Sequence, residues 1–420
     1  MKTLYDTIAE FISGDWGCEA ESDSATQSGY CIRAADIIPI ETHDYSTIPQ
    51  RFVSQSSFDQ RHLIKGDIVI EKSGGSPTQS TGRAVYISQS LLSAKRNIIC
   101  SNFCTAIRLK PEWNPYFVYQ YWRQVYNSGV FFNYEGKTSG LKNLQLEVAL
   151  KSIPIPEIDL PTQLRIAGVL GSLDEKIELN RKKIAELEAL AKTIYDYWFV
   201  QFDFPDKNGK HYRSSGGKMV WNEQLKREIP AGWEVGNLYD IANFENGLAC
   251  QRFRPKGDEP SLPVIKIREM HDGINPDTER VSANIPEKHR IADGNLLFSW
   301  SASLEAMIWC GGDGGLNQHI FKVTPQGEYS VEYVYRQLAS YIVTFAKMAE
   351  ARKTTMGHIT ADHIKQSKII LPSDRILSRF AVSIKPIFER RIVLRKETRS
   401  LVAQRNALLP LLMNGQVVVK

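Results

Sequence analysis

No run of apolar residues reaches the roughly 18 to 20 that a membrane-spanning helix needs. The opening Met1-Lys2-Thr3-Leu4-Tyr5-Asp6 places no apolar core behind a basic cluster, so no secretory leader is expected and a cytoplasmic address is. Cysteine is sparse and unpatterned: Cys18, Cys31, Cys100, Cys104, Cys250 and Cys310 include no Cys-x-x-Cys pair. That excludes a zinc ribbon or a disulfide framework and leaves reduced thiols, mostly buried as small apolar residues. Catalytic signatures are missing as well. There is no Gly-x-x-x-x-Gly-Lys-Ser/Thr phosphate loop, no Gly-x-Ser-x-Gly elbow and no His-Glu-x-x-His helix. His358 and His363 stand five apart, off a shared helix face, and no metal site is expected. Gly311-Gly312-Asp313-Gly314-Gly315 lacks the helix-opening Lys-Ser/Thr and reads as a mobile loop rather than a phosphate cradle. The net charge is small too: +5 over 420 residues permits nucleic-acid binding without pointing to it.

Trp113-Asn114-Pro115-Tyr116-Phe117 approaches the Asn/Asp-Pro-Pro-Tyr/Phe turn with which adenine-N6 methyltransferases hold a flipped base. The second proline is absent, and no glycine-rich cofactor strand–turn precedes it. Asn114 reads better as a helix N-cap with Pro115 in the first helical place, and Ser330 takes the same role further on.

What is present is a repeat of about 215 to 235 residues. Leu4-Tyr5-Asp6, with Ile8-Ala9 and Gly14 behind it, returns as Leu238-Tyr239-Asp240 with Ile241-Ala242 and Gly247. Gly66-Asp67-Ile68-Val69-Ile70 returns as Gly294-Asn295-Leu296-Leu297-Phe298, each a turn feeding a buried strand. Pro115-Tyr116-Phe117-Val118-Tyr119-Gln120 matches Val331-Glu332-Tyr333-Val334-Tyr335-Arg336 at the head of an amphipathic helix. Thr138-Ser139-Gly140-Leu141 parallels Thr355-Met356-Gly357-His358, and Ile155-Pro156 parallels Leu371-Pro372. Five matches in one order are not chance.

Each half then ends in a long helix. Ile166, Leu170, Leu173, Ile177, Ile184, Leu187, Ala191, Ile194 and Trp198 step by fours and threes, with Asn180 in the one skipped place. That is a heptad seam of about 33 residues, roughly 50 Å at 1.5 Å each. Phe380, Ile384, Ile387, Leu394, Leu401 and Leu408 keep the same rhythm less cleanly, with Arg391, Thr398 and Arg405 between them and Pro386 expected to kink the helix. The two helices can satisfy each other as an antiparallel pair, or each can pack on its own domain. Residues 203–232 are polar and rich in Lys, Gly and Ser, the composition of a linker or surface excursion, before Ile229-Pro230-Ala231-Gly232-Trp233-Glu234-Val235 restarts the fold. The expected fold is α+β: two similar mixed lobes with twisted sheets, over residues 1–157 and 204–372, and two long antiparallel, coiled-coil-like helices over 158–203 and 373–420.

Two polar, Gly/Ser-rich sets recur at matching places. After the first buried strand come Lys72, Ser73, Gly74, Gly75, Ser76, Gln79 and Arg83; after the second, Ser299, Trp300, Ser301 and Ser303. Ahead of the closing segments stand Lys137, Thr138 and Ser139, and Arg352, Lys353, Thr354, Thr355 and His358. Cations suit salt-dependent phosphate contacts, and hydroxyls and amides suit phosphates or base edges. Singly, each residue reads as turn chemistry; together they are candidate DNA-contacting loops. The basic second helix faces either DNA or a protein partner.

Ile153-Pro154-Ile155-Pro156 running into Pro161-Thr162-Gln163-Leu164-Arg165-Ile166-Ala167 and Leu173-Asp174-Glu175-Lys176-Ile177, with the two lobe signatures above, resembles the specificity subunits of type I restriction–modification systems over essentially the whole chain. The resemblance implies a sequence-specific DNA reader without catalysis or cofactor of its own. Each lobe would read half of a bipartite double-stranded target, and the helices would serve as ruler and dock. Partners would be two methyltransferase subunits, which bind S-adenosylmethionine, and restriction subunits, which use ATP and Mg. A coiled-coil adaptor between proteins, or a self-sufficient methyltransferase needing the missing motifs, are the other readings.

Overall fold

The computed structural model describes residues 2–74, 76, 79–138, 141–301, 303–351, 359, 361–417 and 419. The chain forms two compact units: residues 1–179 with 400–420, and residues 180–399. Each of the two long helices is therefore shared between the units, unlike a division at the sequence motifs.

In the first unit, Ile8–Ser13, Cys104–Leu109, Ile68–Glu71 and Ala84–Tyr86 form a four-stranded antiparallel sheet in that order. A second sheet sets Gln27–Ile32 between Gln50–Val53, antiparallel, and Ile98–Cys100, parallel. The second unit repeats both. Ala242–Asn246, Ile320–Pro325, Leu296–Ser299 and Glu305–Ile308 are again antiparallel in the same order. Ser261–Ile265 lies between Arg280–Ser282, antiparallel, and Gly314–Leu316, parallel. The strands Ile68–Glu71 and Leu296–Ser299 are buried at every residue, as their unbroken apolar runs predict.

The helix Pro115–Asn127 starts as expected: the Asn114 Oδ1 accepts from the Phe117 amide at 2.9 Å, with Pro115 at the first place. In the second unit the Ser330 Oγ accepts from the Tyr333 amide at 3.2 Å. Both near-motifs are caps.

The first long helix runs Leu160–Tyr195 and ends in the π-turn Asp196–Val200. Its start is tied down by buried Gln163, which accepts from the Asn114 amide at 2.8 Å and donates to the Ile158 carbonyl at 2.8 Å. The second runs unbroken Asp374–Met413. Pro386 does not end the helix: Pro386 and Val382, the residue whose carbonyl loses its amide partner, both stand at exposed places where water can substitute.

Of the two readings of residues 203–232, the surface excursion holds and the linker does not. The stretch is mostly exposed but is anchored in the second unit: Phe204 stacks on Trp233 at 5.1 Å and on Tyr212 at 4.7 Å, and Met219–Asn222 pairs with Arg227–Pro230 as a hairpin. Its many Lys, Gly and Ser residues conceal an aromatic anchor. The glycine-rich stretch is no mobile loop either, since Gly314–Leu316 is a buried strand. A Cβ at Gly314 would lie 2.6 Å from Ile265, and one at Gly315 2.5 Å from Val281, so the glycines are there for packing.

Candidate nucleic-acid interface

In the first unit the two candidate sets converge on a small antiparallel sheet. Ser73–Gly74 pairs with Leu141–Leu144, which pairs in turn with Glu135–Thr138. The Leu144 amide donates to the Lys72 carbonyl at 2.7 Å, and the Ser73 hydroxyl donates to Asn143 Oδ1. Lys72, Ser73 and Gly74 are thereby joined through one strand to the strand that carries Lys137 and Thr138. Ser76 and Gln79 are joined by reciprocal backbone bonds of 3.0 and 3.2 Å, and Ser76 Oγ accepts from the Gln79 amide at 3.1 Å. Gly75 and Ser139 lie outside the described residues.

Arg83 has a different task from the one expected of it. Its Nε and Nη2 hold both oxygens of Glu71, at 2.8 and 2.6 Å, and Glu71 is wholly buried at the end of its strand. A buried carboxylate requires such a partner, so Arg83 is committed to the loop's frame rather than to a phosphate. Lys142, which directly follows the Thr138–Leu141 match, is committed in the same way. Its Nζ lies 2.9 Å from Glu135 Oε2 and 5.0 Å from the Phe132 ring. Burial pushes the Glu135 carboxyl upward, but Lys142 and the Thr81 amide outweigh it and hold the group below its ordinary range. The Glu135 carboxylate ties the loop's far end, accepting from the Thr81 amide at 2.7 Å.

In the second unit Ser299 and Ser301 are buried, which removes them from the candidate surface. Ser299 closes the buried strand, and its hydroxyl donates to the carbonyls of Ser301 and Ser303, shaping the loop from within. Ser303 is exposed. Trp300 Nε1 donates to Asn246 Oδ1 at 3.0 Å, with its ring 5.6 Å from His319. Residues Arg352, Lys353, Thr354, Thr355 and His358 lie outside the described residues. The residue that follows, Ile359, is buried and donates its amide to the Trp300 carbonyl at 3.0 Å. This is the counterpart of Leu144 donating to Lys72: in both units one backbone bond ties the loop after the buried strand to the segment ahead of the closing helix.

The helix seam carries no exposed member. Ile166, Leu170, Ile177, Ala191, Trp198, Phe380, Ile384 and Leu394 are buried; Leu173, Ile184, Leu187, Ile194, Ile387, Leu401 and Leu408 are half-buried. Within the first unit, Leu408, Leu409 and Leu412 pack with Ile166 and Leu170; within the second, Phe380 and Ile384 pack with Ala191 and Trp198. The chain directions are antiparallel in both. Three of the four polar places that blurred the seam are partners, while the Thr398 hydroxyl donates to the Leu394 carbonyl of its own helix at 2.8 Å. Asn180 donates to Glu397 Oε2 at 2.9 Å, and Arg405 Nη1 reaches Asp174 Oδ1 at 2.7 Å. Arg391 pairs with Glu188, and with buried Glu332 at 2.7 Å.

The chain belongs to the family of type I restriction modification DNA specificity domains, whose model matches residues 49–189 and 230–388. The MjaIX specificity subunit of Methanocaldococcus jannaschii is 27% identical over 289 residues, covering 64% of this chain and 62% of that protein. The HindI specificity subunit of Haemophilus influenzae is 25% identical over 323 residues, covering 64% and 70%. The matched stretch thus spans a little under two thirds of the first relative's length, 62%. The crystal structure of a type I restriction-modification S subunit from M. genitalium shares the fold, with a TM-score of 0.57 at 15% identity, covering 98% of this chain and 95% of that one.

Proposed function

We propose that this chain is the sequence-reading subunit of a type I restriction–modification enzyme, each unit reading one half of a bipartite double-stranded DNA target. The observation that carries this reading is one scaffold built twice with different residues on its loops. Lys72-Ser73-Gly74, joined through Asn143 to the strand of Lys137, answers to Trp300, Ser303 and Ile359. Lysines supply phosphate attraction, while hydroxyl, amide and aromatic groups supply base contacts, so two loop sets of different chemistry read two different half-sites.

On this reading the chain performs no catalysis. Methyltransferase subunits dock on the long helices and bring S-adenosylmethionine; restriction subunits bring ATP and Mg. The test is to map methylated adenines in cells that carry this chain with its partner subunits. Two unlike half-sites separated by an unread spacer are expected, about one helical turn apart. A single short contiguous motif refutes the reading.

A further inference from the structure

One feature recurs in both units outside every loop singled out by sequence. In the first unit the Cys104 amide donates to the Ser101 carbonyl at 2.8 Å, closing the turn Ser101-Asn102-Phe103-Cys104 just ahead of Cys104–Leu109. In the second, the Ile320 amide donates to the Asn317 carbonyl at 3.1 Å, closing Asn317-Gln318-His319-Ile320 ahead of Ile320–Pro325. Each turn is pressed by the glycine of the repeat's opening motif: a Cβ at Gly14 would lie 1.9 Å from the Ser101 oxygen, and one at Gly247 2.2 Å from the Asn317 oxygen. Real side chains do not approach a carbonyl so closely, so only glycine leaves room for the turn.

Each turn is also joined to the candidate loop. The Lys72 and Ser73 amides donate to the Phe103 carbonyl at 2.8 and 3.3 Å; the Trp300 amide donates to the His319 carbonyl at 3.4 Å. Glycine, turn and backbone bonds are the same twice over. What differs is the pair at the tip, which is a side-chain amide followed by a ring: Asn102-Phe103 in one unit, Gln318-His319 in the other. Phe103 is 56% exposed, so its ring is open to a partner. Asn102 spends its Oδ1 on the Trp16 amide at 2.9 Å, while its NH2 group makes no hydrogen bond to any described residue.

We propose that these two turns are base-reading tips, Asn102-Phe103 for one half-site and Gln318-His319 for the other. The proposal rests on the DNA-reading function and says where in each unit the reading is done. Amides donate to or accept from base edges in the major groove, and an aromatic ring packs against a thymine methyl group or a base face. The lysines of the adjoining loops hold the phosphates, and the tip meets the bases between them.

The test uses the full chain with its methyltransferase partner and two double variants, Asn102→Ala with Phe103→Ala, and Gln318→Ala with His319→Ala. Methylated sites are mapped in cells, and binding of the purified complex is measured against salt. Each variant is expected to lose about tenfold discrimination at one or two positions of one half-site only, with the other half-site and the salt slope unchanged. Phe103→Leu and His319→Gln keep the volume or polarity of the tip and guard against misfolding; each is expected to alter preference at the same positions. Half-site preferences within twofold of the parent in all four variants, with methylation retained, overturn the proposal. A parent chain that gives no bipartite motif overturns the DNA-reading function itself, and the tips with it.

Discussion

The helix seam offers a sharp test in the pair Asp174–Arg405. Arg405 Nη1 lies 2.7 Å from Asp174 Oδ1, with side-chain exposures of 15% and 24%. The other oxygen of Asp174 accepts from the Tyr116 hydroxyl and, at 3.0 Å, from Gln120 Nε2. Changing Arg405→Ala leaves the carboxylate two neutral donors, so the loss should be about 1–2 kcal/mol. Changing Arg405→Glu adds repulsion. Two like charges about 5 Å apart at an effective dielectric of about 20 repel by about 3 kcal/mol, part of which the new side chain escapes by turning to water. The total should come to about 3 kcal/mol. Asp174→Lys in the same chain restores opposite charges, but Tyr116 and Gln120 then lose their acceptor, which costs about 1–3 kcal/mol again. The double variant should therefore fall short of the parent yet exceed the sum of the two single variants by at least about 1.5 kcal/mol. Urea unfolding of the full chain, followed by far-ultraviolet circular dichroism, measures all four corners of the cycle. A coupling energy below about 0.5 kcal/mol would show that the charges are bystanders and that apolar packing alone holds this part of the seam.

Three other outcomes follow from the geometry. Gly14→Ala and Gly247→Ala, whose Cβ atoms would meet carbonyl oxygens at 1.9 and 2.2 Å, should each destabilise by about 2 kcal/mol or more. Gly168→Ala, with nothing within 4 Å on the first long helix, should instead stabilise by about 0.5–1 kcal/mol in the same urea experiment. The glycine argument fails if all three shift stability the same way. Lys72→Ala should lower the log–log salt slope of DNA binding by about 0.9 per lost phosphate contact. Arg83→Ala, which strips buried Glu71 of its partner, should show mainly as lost stability of about 3 kcal/mol; the reverse pattern would return Arg83 to the phosphate backbone. Glu135, ordinarily near 4.5 and held lower in the fold, contributes stability that is present above its unfolded value and lost as pH falls through its folded one. Urea midpoints between pH 3 and 7 should lose that acid-side decline in Glu135→Gln, and an unchanged profile would contradict the assignment.

The repeat, the caps and the seam were legible because each leaves a periodic or positional trace. Asn114-Pro115 announces a helix start by residue type alone, and Ile68-Val69-Ile70 announces a strand buried on both faces. Pairings between distant residues leave no such trace. Nothing near Glu71 marks it as a buried acid, and nothing near Arg83 marks it as the partner; only the sheet sets them side by side. Composition misled where few residues decided the outcome. Phe204, Tyr212 and Trp233 anchor a stretch whose many lysines and glycines read as linker, and the glycines at 314 and 315 serve close strand packing rather than motion. Asn102-Phe103 escaped notice for a similar reason: a dipeptide at a turn carries no pattern until its counterpart in the other unit is seen on the same hydrogen bond.

The seam shows how two copies of one fold come to differ in charge without differing in shape. The spacing that sets Thr138 against Thr355 also sets Asp174 against Arg391 and Glu188 against Arg405. At both equivalent places the sign is reversed: the first helix carries acids and the second carries arginines, so Asp174 meets Arg405 and Glu188 meets Arg391. The flanking helices have followed. Where Tyr116 and Gln120 donate hydrogen bonds to Asp174, the matching Glu332 accepts from Arg391 and Arg336 joins it at 2.8 Å. A seam with identical residues in both repeats would set acid against acid, or arginine against arginine, at both places, at the repulsive cost estimated above for Arg405→Glu. Each helix is thus complementary to the other repeat's helix and not to a copy of itself. The same separation holds at the tips. Gly14 and Gly247 hold the backbone to one course, and with the course secured, Asn102-Phe103 and Gln318-His319 are free to diverge.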